Sequence, residues 1–147
     1  MLKKLYVHHF RSLQNFELDL TDLKSALLLG INGSGKTTVL DAIEVFQKIG
    51  QGVTQVKDLI SKEDFTFGDI SKPIKLELTV LLNSKSFIYT LVIELPKGFR
   101  EPRIKQEQLK CDNEVILERE GGRTLFNNSA ELENSNLGHN FFGSKTV

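Results

Sequence analysis

Gly30-Ile31-Asn32-Gly33-Ser34-Gly35-Lys36-Thr37 fills every fixed position of the phosphate-binding pattern G-x-x-x-x-G-K-[ST], and Thr38 follows directly. In such a loop the backbone N–H groups wrap the phosphates, the lysine reaches the β and γ phosphates, and the threonine hydroxyl meets Mg²⁺. Gly33 and Gly35 let the backbone approach closely and take φ values that only glycine adopts at little cost. The residues expected to hold a nucleoside triphosphate are therefore Gly30, Asn32, Gly33, Ser34, Gly35, Lys36, Thr37 and Thr38, with Thr37 as the metal ligand and Lys36 as the catalytic charge.

The loop needs a strand to deliver it and a helix to receive it. Ser25-Ala26-Leu27-Leu28-Leu29 is a continuous apolar run that stops at Gly30, the pattern expected of a central parallel strand covered on both faces. Behind the loop, Val39, Ala42, Ile43, Val45, Phe46 and Ile49 recur at helical spacing, which predicts an amphipathic helix over 36–48 with Gly50 as its stop. Its first turn has unpartnered N–H groups and the positive end of the helix dipole, and both favour a phosphate. Asp41 and Glu44 fall on the opposite, solvated face.

Around this unit the period changes to two. Leu5 and Val7 alternate with polar neighbours, as do Phe16, Leu18 and Leu20, giving two half-buried strands with a turn at 9–13 between them. Residues 50–72 are mixed: Val53, Val56, Leu59 and Ile60 suggest a short helical piece, and 65–68 reads as loop. Ile74 to Leu82 and Phe87 to Leu95 form a hairpin across Asn83-Ser84-Lys85, and strands follow over 104–109, 114–119 and 123–126. The expectation is an antiparallel meander of about five strands over 74–126, then a loop or frayed end over 127–147.

With 147 residues, 19 basic and 19 acidic side chains and 39% hydrophobic residues, the chain has the size and balance of one soluble domain. Zero net charge offers no general attraction to nucleic acid. Lys97, Arg100, Arg103, Lys105 and Lys110 are diluted by Glu101 and Glu107 and read as a solvated strand-and-turn face. The single cysteine, Cys111, has no internal disulfide partner. No apolar run reaches a membrane span and no signal peptide opens the chain, so a cytoplasmic location is the default expectation.

The run from Leu5 to Leu13, containing Phe10-Arg11-Ser12, followed by Leu27 to Ile43, resembles the start of ABC-type ATPase heads. It is similar in particular to the RecF, SMC and OLD-like group, whose N-termini pair an NFRS-like turn with a GxNGSGKS/T and LDAI run. The stretches 104–109 and 115–122 resemble the strand meander of AAA-type ATP-binding proteins related to OLD. The resemblance implies an α/β P-loop NTPase lobe, ABC-ATPase-like, with a central strand-loop-helix and an antiparallel β-meander. It further implies ATP with Mg²⁺, a homodimer closed through ATP-bound heads, DNA as a family-level partner, and a place for Arg11 near the nucleotide. Coupling to DNA repair or phage defence is implied for the complete protein.

Two departures stand against that pattern. The group requires an apolar strand ending in Asp-Glu and a serine-glycine signature, and neither follows the meander. Leu91-Val92-Ile93-Glu94 and Val115-Ile116-Leu117-Glu118 imitate the first but sit inside predicted hairpins, whereas a catalytic carboxylate ends a parallel strand beside the loop. The expectation is an N-terminal lobe of a longer ATPase, one that binds ATP without appreciable hydrolysis by itself. The alternatives are a non-catalytic nucleotide-binding adaptor and, further off, a small P-loop kinase. A GTPase lacks support, because D-x-x-G and N-K-x-D are both absent.

Overall fold

The computed structural model describes residues 1–127, so most of the tail expected as loop at 127–147 lies outside the described residues. The strands are β1 (Leu2–His8), β2 (Phe16–Asp19), β3 (Ile74–Leu82), β4 (Lys85–Glu94), β5 (Arg103–Cys111), β6 (Glu114–Glu120) and β7 (Arg123–Phe126). They form one seven-stranded sheet in the order β2-β1-β3-β4-β5-β6-β7, antiparallel at every pairing. A single helix, α1 (Lys36–Gly50), is present among the described residues.

The alternation read in the sequence sorts the two sheet faces. Across neighbouring strands, Val7 pairs with Leu76, Leu76 with Leu91, Tyr89 with Leu109, and Leu109 with Leu117. All of these are buried, and with Val39, Ala42, Val45 and Phe46 of α1 they make one core. Phe46 meets Tyr89 edge-on, ring centroids 5.9 Å apart. The opposite face carries Tyr6, Lys75, Glu77, Thr90 and Gln108 in its ladders, as expected of an antiparallel sheet with one wet side. Both the meander and the helix form where the periodicity predicted them.

The delivery strand does not. Residues 25–30 adopt no strand and join no ladder, so the expected central strand-loop-helix is corrected to a loop and helix preceded by an unpaired run. Leu28 packs on the core, while Leu27, Leu29 and Ile31 are 80%, 83% and 82% exposed. A strand buried on both faces needs a neighbour on each side, and among the described residues no strand pairs with this run.

The mixed segment resolves into three 3-10 turns, Val56–Asp58, Lys62–Asp64 and Thr66–Gly68. Ser61 and Asp64 cap each other: the Ser61 N–H and hydroxyl both donate to Asp64 Oδ2, at 2.8 and 3.0 Å. This segment is pinned to the turn after β1. Arg11 N–H donates to the Asp64 carbonyl at 2.6 Å, Thr66 N–H to that of His9 at 3.4 Å, and Phe10 bridges Phe65.

Candidate phosphate-binding site

Helix α1 begins at Lys36 behind Gly35, whose φ of 93° is left-handed, and no side chain caps its first turn. The N–H groups there remain available to an anion, supported by the helix dipole. Lys36 folds back over the loop and its Nζ donates to the carbonyls of Gly30 at 2.5 Å and Ile31 at 2.7 Å, with Ser34 Oγ at 3.4 Å. The loop closes on itself through Ser34 N–H to Ile31 O at 3.2 Å. Asn32, Gly33, Ser34 and Thr37 are exposed.

The turn between β1 and β2 forms the floor of this loop. Ser12 Oγ lies 3.2 Å from Thr38 Oγ1, so the buried Thr38 side chain is engaged with the turn. A Cβ on Gly35 would stand 3.0 Å from Leu13 Cδ2 and 3.3 Å from Ser12 Oγ. Gly35 therefore serves two demands at once, the left-handed backbone and the close approach of the turn. Gly35→Ala is expected to lower stability by about 1–3 kcal/mol in a urea titration, the usual range for a strained left-handed residue. An unchanged midpoint would contradict this account.

Arg11 is placed beside the loop, yet its guanidinium is engaged by carboxylates. Nε donates to Asp64 Oδ1 at 2.7 Å, and Nη1 pairs with Asp41 on the second turn of α1. The hydrogen bond to Asp64 is the main reason its pKa is raised, with burial opposing and the charges of Asp64 and Asp41 adding. Asp41 is thus corrected from a solvated face residue to half of an ion pair, whereas Glu44 stays on the wet face, paired with Lys48 at 3.0 Å. Arg11 links three separate stretches: the turn, the phosphate helix and the 61–66 segment.

For Mg²⁺ the donor set is partial. The exposed Thr37 hydroxyl suits a hard cation that keeps several waters, but no group of three or more His, Cys, Asp or Glu gathers for a metal among the described residues. The two acid-ending runs do not supply a carboxylate. Glu94 accepts from Arg103 Nε at 3.0 Å, and Glu118 accepts from Gln108 Nε2 at 2.9 Å, both within antiparallel strands.

Some features of the site and sheet were not legible in the sequence. Ser12, Leu13 and Asp64 touch the loop or its partners; of these only the Ser61–Asp64 spacing carries a local signal. Glu107, read as a wet strand residue, is buried on the helix-facing side, where it accepts from the Tyr89 hydroxyl at 2.5 Å and pairs with Arg119 Nε at 3.2 Å. Burial first, then the neighbouring Glu107 carboxylate, pushes the Tyr89 phenol well above its ordinary pKa.

The sequence model of the AAA ATPase domain family matches residues 1–144. No curated protein matches the chain. Among the described residues, no helix is long and apolar enough to cross a membrane.

Proposed function

The chain belongs to the AAA ATPase domain family, and on that premise we propose that residues 30–38 bind ATP with Mg²⁺ as the nucleotide-binding lobe of a RecF/SMC/OLD-like ATPase. The observation that carries this reading is the loop itself. An uncapped helix start, a lysine lying across the loop and an exposed threonine hydroxyl stand together at residues 30–37. Lys36 would exchange the Gly30 and Ile31 carbonyls for phosphate oxygens, and the Thr37 hydroxyl would help hold the Mg²⁺. The ion would neutralise charge on the transferred phosphoryl group. Thr38 holds the helix start to the Ser12 turn, and Gly30, Asn32, Gly33, Ser34 and Gly35 supply backbone around the phosphates.

Hydrolysis also requires a carboxylate to position water and metal, and we propose that it comes from outside the described residues. The exposed Leu27, Leu29 and Ile31 support this, because such a run gains stability when further strands cover it. In the complete protein, ATP would then close two heads into a homodimer. Any action on DNA or in phage defence belongs to whatever is coupled to that closure. The alternative is a non-catalytic adaptor. It is favoured by the engagement of Glu94 and Glu118 in strand contacts, and its mark is an oligomeric state indifferent to ATP. A small kinase is disfavoured, since the one α-helix among the described residues, set against an antiparallel sheet, lacks the alternating plan of that class.

The test is calorimetry and phosphate release on this 147-residue chain. Binding of Mg-ATP is expected, weakened by EDTA, with negligible turnover. Turnover at the rate of ordinary ATPases, lost in Lys36→Ala, would refute the incomplete-lobe reading. Absence of ATP binding would refute the phosphate-loop reading.

A further inference from the structure

Arg11, Ser12 and Leu13 are consecutive, and each touches the start of α1. The Arg11 guanidinium pairs with Asp41, Ser12 Oγ lies 3.2 Å from Thr38 Oγ1, and Leu13 Cδ2 lies 3.0 Å from where a Cβ on Gly35 would stand. Positions 35, 38 and 41 are spaced by three, so the turn meets one side of the helix beginning. The turn is itself closed in both directions, with Phe10 N–H donating to Leu13 O at 3.1 Å and Leu13 N–H to Phe10 O at 2.9 Å. It grips the phosphate helix as one piece.

The turn is held in its place from the 61–66 segment. Asp64 takes Arg11 twice: its carbonyl accepts the Arg11 N–H at 2.6 Å, and its Oδ1 accepts Nε at 2.7 Å. The second carboxylate oxygen, Oδ2, accepts from the N–H and hydroxyl of Ser61. Asp64 is 8% exposed, and the guanidinium that bridges it to Asp41 lies over the Phe10 ring, 5.3 Å from its centroid. An unbroken chain of contacts thus runs from Ser61 through Asp64 and Arg11 to Asp41 on α1. Moving the guanidinium to a phosphate would strand the buried Asp64 carboxylate without its cation, a costly arrangement. The bridge suits holding the helix better than holding the ligand.

We propose that Asp64 and Arg11 are positioning residues for the phosphate site: the carboxylate fixes the guanidinium, and the guanidinium, through Asp41, fixes where the first-turn N–H groups of α1 point. The inference rests on the ATP-binding reading above. An anion at a helix start needs those N–H groups to converge on it, so a small tilt of the helix weakens binding. The experiment titrates Mg-ATP and inorganic tripolyphosphate, by calorimetry, into the unaltered chain, Asp64→Asn, Arg11→Met, their double variant and Phe67→Ala, with the folded fraction taken from circular dichroism. Phe67→Ala is the control, a change to a 95% exposed side chain of the neighbouring 3-10 turn. Asp64→Asn and Arg11→Met are each expected to weaken both ligands about 2- to 30-fold per folded molecule. The double variant should lose no more than the weaker single, because both act through one bridge, and Phe67→Ala should bind as the unaltered chain does. Were Arg11 itself a phosphate ligand, Asp64→Asn would free its guanidinium and tighten binding. That result overturns the positioning role, as do unchanged affinity beside a lowered thermal midpoint, additive losses in the double variant, or an equal loss in Phe67→Ala; in each case the loop reading stands. Should Asp64→Asn fail to fold, Asp41→Asn on the helix decides by the same signs. If the unaltered chain binds neither ligand, the loop reading fails and the positioning role falls with it.

Discussion

Lys36→Ala is expected to weaken Mg-ATP about 30- to 150-fold while leaving the fold and its thermal midpoint nearly unchanged. A charge-assisted hydrogen bond to an ionised partner contributes about 1.5–3 kcal/mol, and Lys36 would make more than one to the phosphates. Taking about 2–3 kcal/mol as the net effect gives the stated range. Part of the gross gain is offset, because Nζ must first release the Gly30 and Ile31 carbonyls that it already meets at 2.5 and 2.7 Å. Those contacts are exposed, so their loss alone barely alters folding. Lys36→Arg keeps the charge but not the compact ammonium, and is expected to recover little. Calorimetry of the variants beside circular dichroism separates these outcomes; equal ATP affinity in Lys36→Ala would show that the loop does not hold the phosphates.

Phe65→Ala should have the largest effect on stability, about 3–5 kcal/mol, the usual range for a buried phenylalanine whose cavity cannot collapse. Phe65 is 1% exposed, bridges Phe10, and meets the His9 ring edge-on at 6.4 Å. It is the apolar pin between the 3-10 segment and the turn under the loop. For a domain of this size the midpoint should fall by roughly 10–20 °C. Phe67→Ala, two residues away, removes a similar side chain from solvent and should move the midpoint little. A thermal melt of both variants tests the contrast. Nearly equal midpoints would mean that the segment does not rest on Phe65. Loss of the pin also loosens the Asp64 contact to Arg11, so ATP affinity should drop in whatever fraction of Phe65→Ala remains folded.

The residues differ in how far they could be read without coordinates. Helix α1 and the strands from Ile74 onward follow from repeats of 3.6 and 2 in neighbouring side chains, and a local pattern needs no distant partner to be recognised. The same rule misled at Ser25–Leu29. A continuous apolar run predicts burial on two faces, but burial depends on which strands arrive beside it, and none does among the described residues. Glu107 failed in the opposite direction: a charged residue in a strand reads as wet, yet its register opposite Leu91 turns it toward α1, where the Tyr89 hydroxyl donates to Oε1 and Arg119 offsets the charge at ion-pair distance, while Oε2 has no hydrogen-bond partner. Arg11 was legible only as a basic residue in an FRS turn; that two carboxylates from positions 41 and 64 converge on it is a fact of long-range docking.

The sequence alone picked out the candidate loop at 30–37 and determined the helix behind it and the antiparallel meander, because each is written in spacing over a few residues. Tertiary structure decided the rest: the turn that floors the loop, the ion pairs holding Arg11, the bare run before Gly30 and the outward ring of Phe67. Each of these depends on contacts between segments far apart in the chain, or on the want of a pairing strand among the described residues, and no local period encodes which distant surfaces will meet.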